Sequence, residues 1–476
     1  MTSKNSSLKL NSLLNVIRQL CVIIFPIITF PYASRVLGAT NYGKVNFGLS
    51  IVSYILLIAG LGITNYAIRE GARVRENTDK IQGFINQIFT LNIYSTIVAY
   101  IVLAVLLIFW DDLKPYTALI MVQSITVFFT TFGVDWINSI YEDYFYITLR
   151  YIICQIIAVV LMFTLVKDKD DYVIYALVMA SSTVLANIWN WFHISKYQLK
   201  LRIVSLKETF PHWKPVLILF GSAVASLIYI NSDITILGIL STNERVGYYS
   251  VSVKVYTLVK QLINAALIVA IPRFSYHLAQ GNKEEVEKQL TILQSGLLVI
   301  AGPAMMGVFV LSKEIITFLA GSAYLPATSS LQLLSIALLF AILANLYINV
   351  IMIPLKKEKH ILVATFVSAI INIVLNFALI PSLQENGAAI ATVIAEAVMA
   401  LMGWFAVRKS VHLTFMKPII VTSLASIWVY VSYQQVSVLF SHNIVILIAT
   451  ILISIIGVAV IVLITYHKEM RGFLKK

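Results

Sequence analysis

A chain of 476 residues that is 59% hydrophobic and 12% charged has too little polar surface for a water-soluble globule, and its mean hydropathy is +0.87. The net charge of +13 does not point to nucleic acid, because the basic residues are divided among short separate links instead of gathered on one surface; links facing anionic lipid account for them. The two cysteines, Cys21 and Cys154, lie in apolar stretches without metal-ligand spacing and read as packing residues.

About 20 apolar residues cross a bilayer core. Fourteen stretches of that kind follow one another, at about 12–33, 45–68, 83–109, 115–139, 144–166, 172–194, 214–240, 247–271, 289–312, 328–353, 360–381, 387–407, 415–434 and 443–466. The first is preceded by Lys4 and Lys9, as a signal peptide would be, but it is too long and contains Arg18, so it reads as a transmembrane helix. With both termini in the cytoplasm, 24 of the 35 Lys and Arg residues fall in cytoplasmic links and 7 in outward links, leaving Arg18, Arg150, Lys254 and Lys260 inside spans. The positive-inside rule requires such sorting. Asp170 and Asn386 then face outward. The predicted fold is an all-α polytopic membrane protein, and no link is long enough for a soluble catalytic domain.

The longest cytoplasmic link, Ser195 to Lys214, carries five basic residues and Pro211 and divides the chain near its middle. Internal repetition agrees: Gly38 and Gly238 are 200 residues apart, while Gly43 and Gly247, like Arg69 and Arg273, are 204 apart. The expected organisation is an N-terminal lobe over 1–194, a linker over 195–213 and a second six-helix lobe over 214–410. Two additional spans and a basic tail occupy 411–476. Six helices per repeat give both lobes the same orientation, related by an axis along the membrane normal, a plan common among transporters.

Gly38 to Lys44 fits the G-x-x-x-x-G-K part of a phosphate-binding loop. Val45 stands where Ser or Thr would hold Mg²⁺, however, and no strand precedes it, so a tight turn between helices is the better reading. Charges inside spans cost roughly 2.5–3.5 kcal/mol at a helix centre, so each asks for a reason. Arg18 lines a cavity or anchors at the interface by snorkelling. Arg150 reads as an anchor and Asp135 as interfacial. Asp233 and Lys254 lie at similar depth in neighbouring spans, as a structural ion pair or as a cavity pair that opens for substrate. Lys260 sits near mid-membrane. Glu396 has no basic neighbour in its own helix and is a candidate H⁺ or Na⁺ site, or a protonated packing residue. Asn345 with Asn349, and Asn372 with Asn376, share helix faces. Pro26, Pro31 and Pro303 can bend their spans. No residue reads as catalytic or metal-binding.

The runs Pro31 to Gly43 (PYASRVLGATNYG), Asp233 to Val255 (DITILGILSTNERVGYYSVSVKV), Pro272 to Ser275 (PRFS) and Gly321 to Pro326 (GSAYLP) resemble the bacterial oligosaccharide-repeat flippases of the polysaccharide transporter family. That family lies within the multidrug, oligosaccharidyl-lipid and polysaccharide exporter superfamily. The resemblance implies a non-enzymatic protein of the bacterial cytoplasmic membrane that moves undecaprenyl-diphosphate-linked repeat units outward for O-antigen, capsule or exopolysaccharide assembly. A polysaccharide polymerase and a chain-length regulator are the implied partners. By position, Arg18, Arg35 and Lys254 match the family's substrate-facing cations; Lys260, Asp233 and Glu396 rest on the physical argument alone. Such a path must offer cations to phosphate and polar groups to sugar hydroxyls while the lipid tail stays in the bilayer. A multidrug antiporter of the same superfamily would prefer an acidic cavity, whereas the spans hold four basic and three acidic residues. A membrane polymerase or glycosyltransferase would need a substantial outward loop, and a scaffold has no use for mid-membrane charge.

Overall fold

The computed structural model describes residues 2–279, 283–411 and 416–474. The side chains of Lys4, Lys9, the Pro272 to Ser275 run and the tail beyond His467 lie outside the described residues. Among the described residues there are sixteen α-helices and a few short 3₁₀ turns, and no strand. Among the described residues, twelve helical segments are long and apolar enough to cross a membrane. The first of these, Val16–Val74, holds two of the expected stretches, and the eighth expected stretch runs along the helix that carries Lys254 and Lys260.

The chain divides into two compact units, residues 1–239 and 240–476. The first contains α1 (Thr2–Gly60), α2 (Ile63–Val74), α3 (Thr78–Phe109), α4 (Thr117–Gly133), α5 (Trp136–Ile140), α6 (Tyr144–Leu165), α7 (Tyr172–His193) and nearly all of α8 (Leu206–Leu240). Gly38 interrupts α1 with φ 68°, a conformation that glycine adopts without strain, so the turn expected there is a kink between two helical halves. Gly43 lies buried within the helix that follows and makes no turn of its own. Two expected stretches are divided: that over 45–68 breaks at Leu61 and Gly62, and that over 115–139 breaks at Val134, all with positive φ.

Polar residues point inward. The Ala59 carbonyl, left without an intrahelical donor near the end of α1, accepts from Asn92 Nδ2 at 2.8 Å and Ser95 Oγ at 2.6 Å on α3. Gln123 on α4 donates to the Val45 carbonyl at 3.0 Å, and Tyr32 donates to the Val166 carbonyl at 2.7 Å. Where lipid replaces water, such interhelical bonds hold helices that the hydrophobic effect cannot distinguish from their surroundings. Apolar residues face out: Ile97, Val98, Ile101, Val105 and Ile108 form an exposed stripe along α3 while Thr90, Asn92, Ser95 and Thr96 are buried. Gly238 on α8 is required by contact, since a Cβ there would lie 2.1 Å from the Phe47 ring.

The second unit contains α9 (Asn243–Ala279), α10 (Lys283–Val310), α11 (Ser312–Leu319), α12 (Ala327–Asn345), α13 (Glu358–Leu383), α14 (Glu385–Val407), α15 (Met416–Leu439) and α16 (Asn443–Leu474). Helix α12 packs on α9, α10 and α14, α13 packs on α14, and α15 lies between α10 and α16. Ser252 on α9 bonds the Ala327 carbonyl at 2.9 Å and Ser330 Oγ at 2.8 Å on α12. The end of α12 continues as a π-helical turn, Leu346–Met352, so the expected stretch over 328–353 changes pitch before it ends.

Candidate functional site

Helix α9 sets Tyr256 and Lys260 four residues apart on one face, and α14 brings Glu396 against both. Lys260 Nζ lies 2.7 Å from Glu396 Oε1, and Tyr256 donates its hydroxyl to the same oxygen at 2.8 Å. The ammonium is also 3.2 Å from the Tyr256 hydroxyl. The Glu396 side chain is 5% exposed and that of Lys260 27%, so the carboxylate is the more enclosed partner. An ion pair at this depth is tolerated because the attraction and the tyrosine bond offset desolvation; removing one partner alone leaves a stranded charge. The basic neighbour that Glu396 lacks in its own helix comes from α9.

Lys254 sits six residues before Lys260 on α9, which turns it about 120° away. It is half-buried and, within its own unit, has no hydrogen-bond or ion-pair partner among the described residues. Asp233 is buried on α8 in the first unit, with its charge in reach of Tyr54. Arg18 is half-buried on α1, in electrostatic reach of Tyr151. Arg35 is exposed three residues before the Gly38 kink. The described geometry thus brings together Lys260 and Glu396; Arg18 and Arg35 share α1 in the first unit, Asp233 is on α8 there, and Lys254 is on α9 in the second unit.

A second polar cluster, at the end of α5–α7 that the charge sorting assigns to the cytoplasm, was not anticipated from sequence. Arg150 is no interfacial anchor: its side chain is 6% exposed, and its Nη2 donates to Asp135 Oδ1 at 2.5 Å. The guanidinium also lies 5.2 Å over the Tyr146 ring. Asn138 bonds Asp135 at 3.1 Å and also Asn190, which in turn reaches the Gly133 carbonyl freed by the break at Val134. Nearby, Asp143 accepts from Lys196 at 2.9 Å and from the Tyr197 hydroxyl at 3.1 Å, with His193 Nε2 also at 3.1 Å. Burial alone would raise the Asp143 carboxyl, but these three partners hold it below the usual carboxylate range. The sequence marks Arg150 and Asp135 singly, as charges inside apolar stretches, but carries no signal for their pairing or for the asparagines that join it.

The paired asparagines bond within their own helices. Asn376 Nδ2 donates to Asn372 at 3.0 Å, and Asn349 donates to Asn345 across the π turn. In the second unit an apolar groove of about 630 Å³ runs between α9, α10, α15 and α16, lined by Val259, Val299, Pro303, Gly307, Ile455 and Val462 among others.

The chain matches the family model described as "Polysaccharide biosynthesis protein" over residues 8–277, more than half its length. It is 23% identical to a "Putative O-antigen transporter" of Escherichia coli (strain K12) over 361 residues, covering 73% of this chain and 84% of that protein. A protein of the same description from Shigella dysenteriae is 23% identical over 331 residues, covering 65% and 80%. Among solved structures, "Lipid II flippase MurJ, inward closed conformation" aligns with a TM-score of 0.73 at 18% identity, covering 97% of this chain and 99% of that one. An inward-facing multidrug resistance MATE family transporter of the MOP superfamily aligns at 0.61 and 14% identity, covering 83% and 97%. The architecture is thus the multi-pass helical fold of these transporters. With the inward-turned polar residues and lipid-facing apolar stripes already described, the match over residues 8–277 means that the chain belongs to the polysaccharide biosynthesis protein family.

Proposed function

We propose that this protein is a flippase that carries lipid-linked oligosaccharide, specifically undecaprenyl-diphosphate-linked repeat units, from the cytoplasmic to the outer leaflet for surface polysaccharide assembly. Lys254 carries the reading furthest. A half-buried ammonium without an anion among the described residues of its own unit, in a chain of this family, is a group waiting for an anionic substrate. In the first unit Arg18 and Arg35 add cations, in the second the asparagines at 345 and 349 and at 372 and 376 offer polar groups to sugar hydroxyls, and the apolar groove beside α15 and α16 suits a polyprenyl chain. Transport proceeds by alternating access of two lobes, with Glu396 the coupling carboxylate: protonation or Na⁺ binding there would release Lys260 from its pair. A multidrug antiporter would need that carboxylate for a cationic drug, and Lys260 already occupies it.

The test is genetic and chemical. In a clean deletion with no second flippase present, lipid-linked repeat units should accumulate on the cytoplasmic leaflet and surface polymer should fall at least about tenfold. Normal surface polymer in that strain would rule the proposal out.

A further inference from the structure

Helix α14 ends at Val407 beside the start of α13 at Glu358, and the two ends enclose a second cavity of about 630 Å³. Its lining combines the cationic Lys357, Lys359, Arg408 and Lys409 with the apolar Val363, Met402 and Phe405. Lys357 is committed to architecture: its Nζ donates to the Ala406 carbonyl and to Ser410 Oγ, both at 2.7 Å, closing the C-terminal end of α14. Lys359, Arg408 and Lys409 have no such employment. None of the three is in an ion pair among the described residues, although Glu358 is exposed close by. Arg408 is held over the Phe405 ring at 4.6 Å and the Trp404 ring at 5.3 Å, which fixes a cation beside the apolar lining.

The apolar lining does not stop at the cavity. Val363, Phe366 and Ile370 continue along one exposed face of α13, at 54%, 41% and 57% exposure, into the band that faces hydrocarbon. Cations clustered at a membrane-helix end, opening onto a lipid-facing apolar stripe, match a molecule with a phosphate head and an acyl chain. The basic links also place this end in the inner leaflet, where anionic phospholipid is drawn to Lys and Arg.

We infer that the cavity between the ends of α13 and α14 is a binding site for an anionic phospholipid, with the phosphodiester on Lys359, Arg408 and Lys409 and an acyl chain along Val363, Phe366 and Ile370. The site shares no residue with the cations assigned to the transported substrate, and lipid occupancy would brace α13 against α14. Free phosphate and the polyprenyl diphosphate of the substrate share the head chemistry, so the test separates them.

Purified full-length protein is titrated with cardiolipin, phosphatidylglycerol, phosphatidylcholine, undecaprenyl diphosphate and inorganic phosphate, with bound species counted by native mass spectrometry. The two anionic phospholipids should bind in preference to phosphatidylcholine. Lys359→Gln combined with Lys409→Gln should weaken them about tenfold or more, and the corresponding Lys→Arg pair should retain them. Both lysines are exposed, so the Gln pair is expected to fold, and the Arg pair controls for loss of shape. Equal binding of phosphatidylcholine, unchanged binding in the Gln pair, or a preference of these lysines for undecaprenyl diphosphate or inorganic phosphate would each overturn the inference. No transport is measured, so failure of the flippase reading would leave this result intact.

Discussion

At the scale of single residues, two lysines on one helix differ in what their removal leaves behind. Lys260 neutralises Glu396 at 2.7 Å, so Lys260→Ala strands an enclosed carboxylate, at a cost of about 3–5 kcal/mol. Lys254 has no partner within its own unit among the described residues, so Lys254→Ala strands nothing there. The prediction is a split: Lys260→Ala and Glu396→Gln should each lower the amount of protein in membranes, and Lys260→Gln with Glu396→Gln should restore it. Lys254→Ala should leave that amount unchanged and reduce surface polysaccharide at least about tenfold, with Lys254→Arg retaining part because charge survives while hydrogen-bond geometry changes. Immunoblots of membranes beside polysaccharide gels separate the two, and depleted Lys254→Ala protein would mean that Lys254 is architectural. Each charge was legible in the sequence, since an ionisable residue in an apolar stretch stands out. The partner of Glu396 was not: it lies 136 positions away on α9, and helix-to-helix register leaves no periodic signal. Shared depth suggested Asp233 for Lys254, and the two fall in different units.

At the scale of elements, the helices were legible from apolar length, and the kink at Gly38 from the one residue type that turns there freely. The breaks at Leu61 and Val134 were not, because those side chains carry no propensity for positive φ; packing imposes it. The π turn at Leu346–Met352 was equally silent, since its apolar residues would serve an ordinary α-helix as well. Packing also gives the repeated glycines different tasks, Gly38 at a kink and Gly238 beneath the Phe47 ring. The α5–α6 link shows what such elements need at their ends. Asp143, in that link, joins His193, Lys196 and Tyr197 and ties α7 to its neighbours. Its carboxyl is held below the usual range, so the charged form is favoured in the folded protein. The stabilisation is then fully present above the unfolded pKa of about 3.9 and is lost as pH falls through the lower folded value. Asp143→Asn should therefore melt a few degrees lower than the parent at neutral pH, with the difference closing below about pH 4. A thermal unfolding series of both proteins in detergent across that range checks it; a difference that persists unchanged into acid would assign the effect to shape instead of charge.

For the whole molecule, the sorting of 24 basic residues to one side against 7 to the other is a statement about orientation that no helix boundary alters. Splitting the expected stretches at Leu61 and Val134 moves no lysine or arginine across the membrane, so both termini remain assigned to the cytoplasm. The structure does refine how to test it. Asn386, assigned outward, has a buried carboxamide oxygen and would make a poor reporter, whereas Ser382 in the same link and Asp170 in another are exposed. In a background with Cys21 and Cys154 replaced by Ala, Asp170→Cys and Ser382→Cys should react with an impermeant maleimide added to intact cells. Ser205→Cys, exposed in the basic link before α8, should react only after the membrane is opened. Reaction at all three positions in intact cells, or protection of both outward ones, would invert or break the topology. It would also remove the inner-leaflet placement of the lipid site between α13 and α14, because that placement and the cytoplasmic termini rest on the same charges.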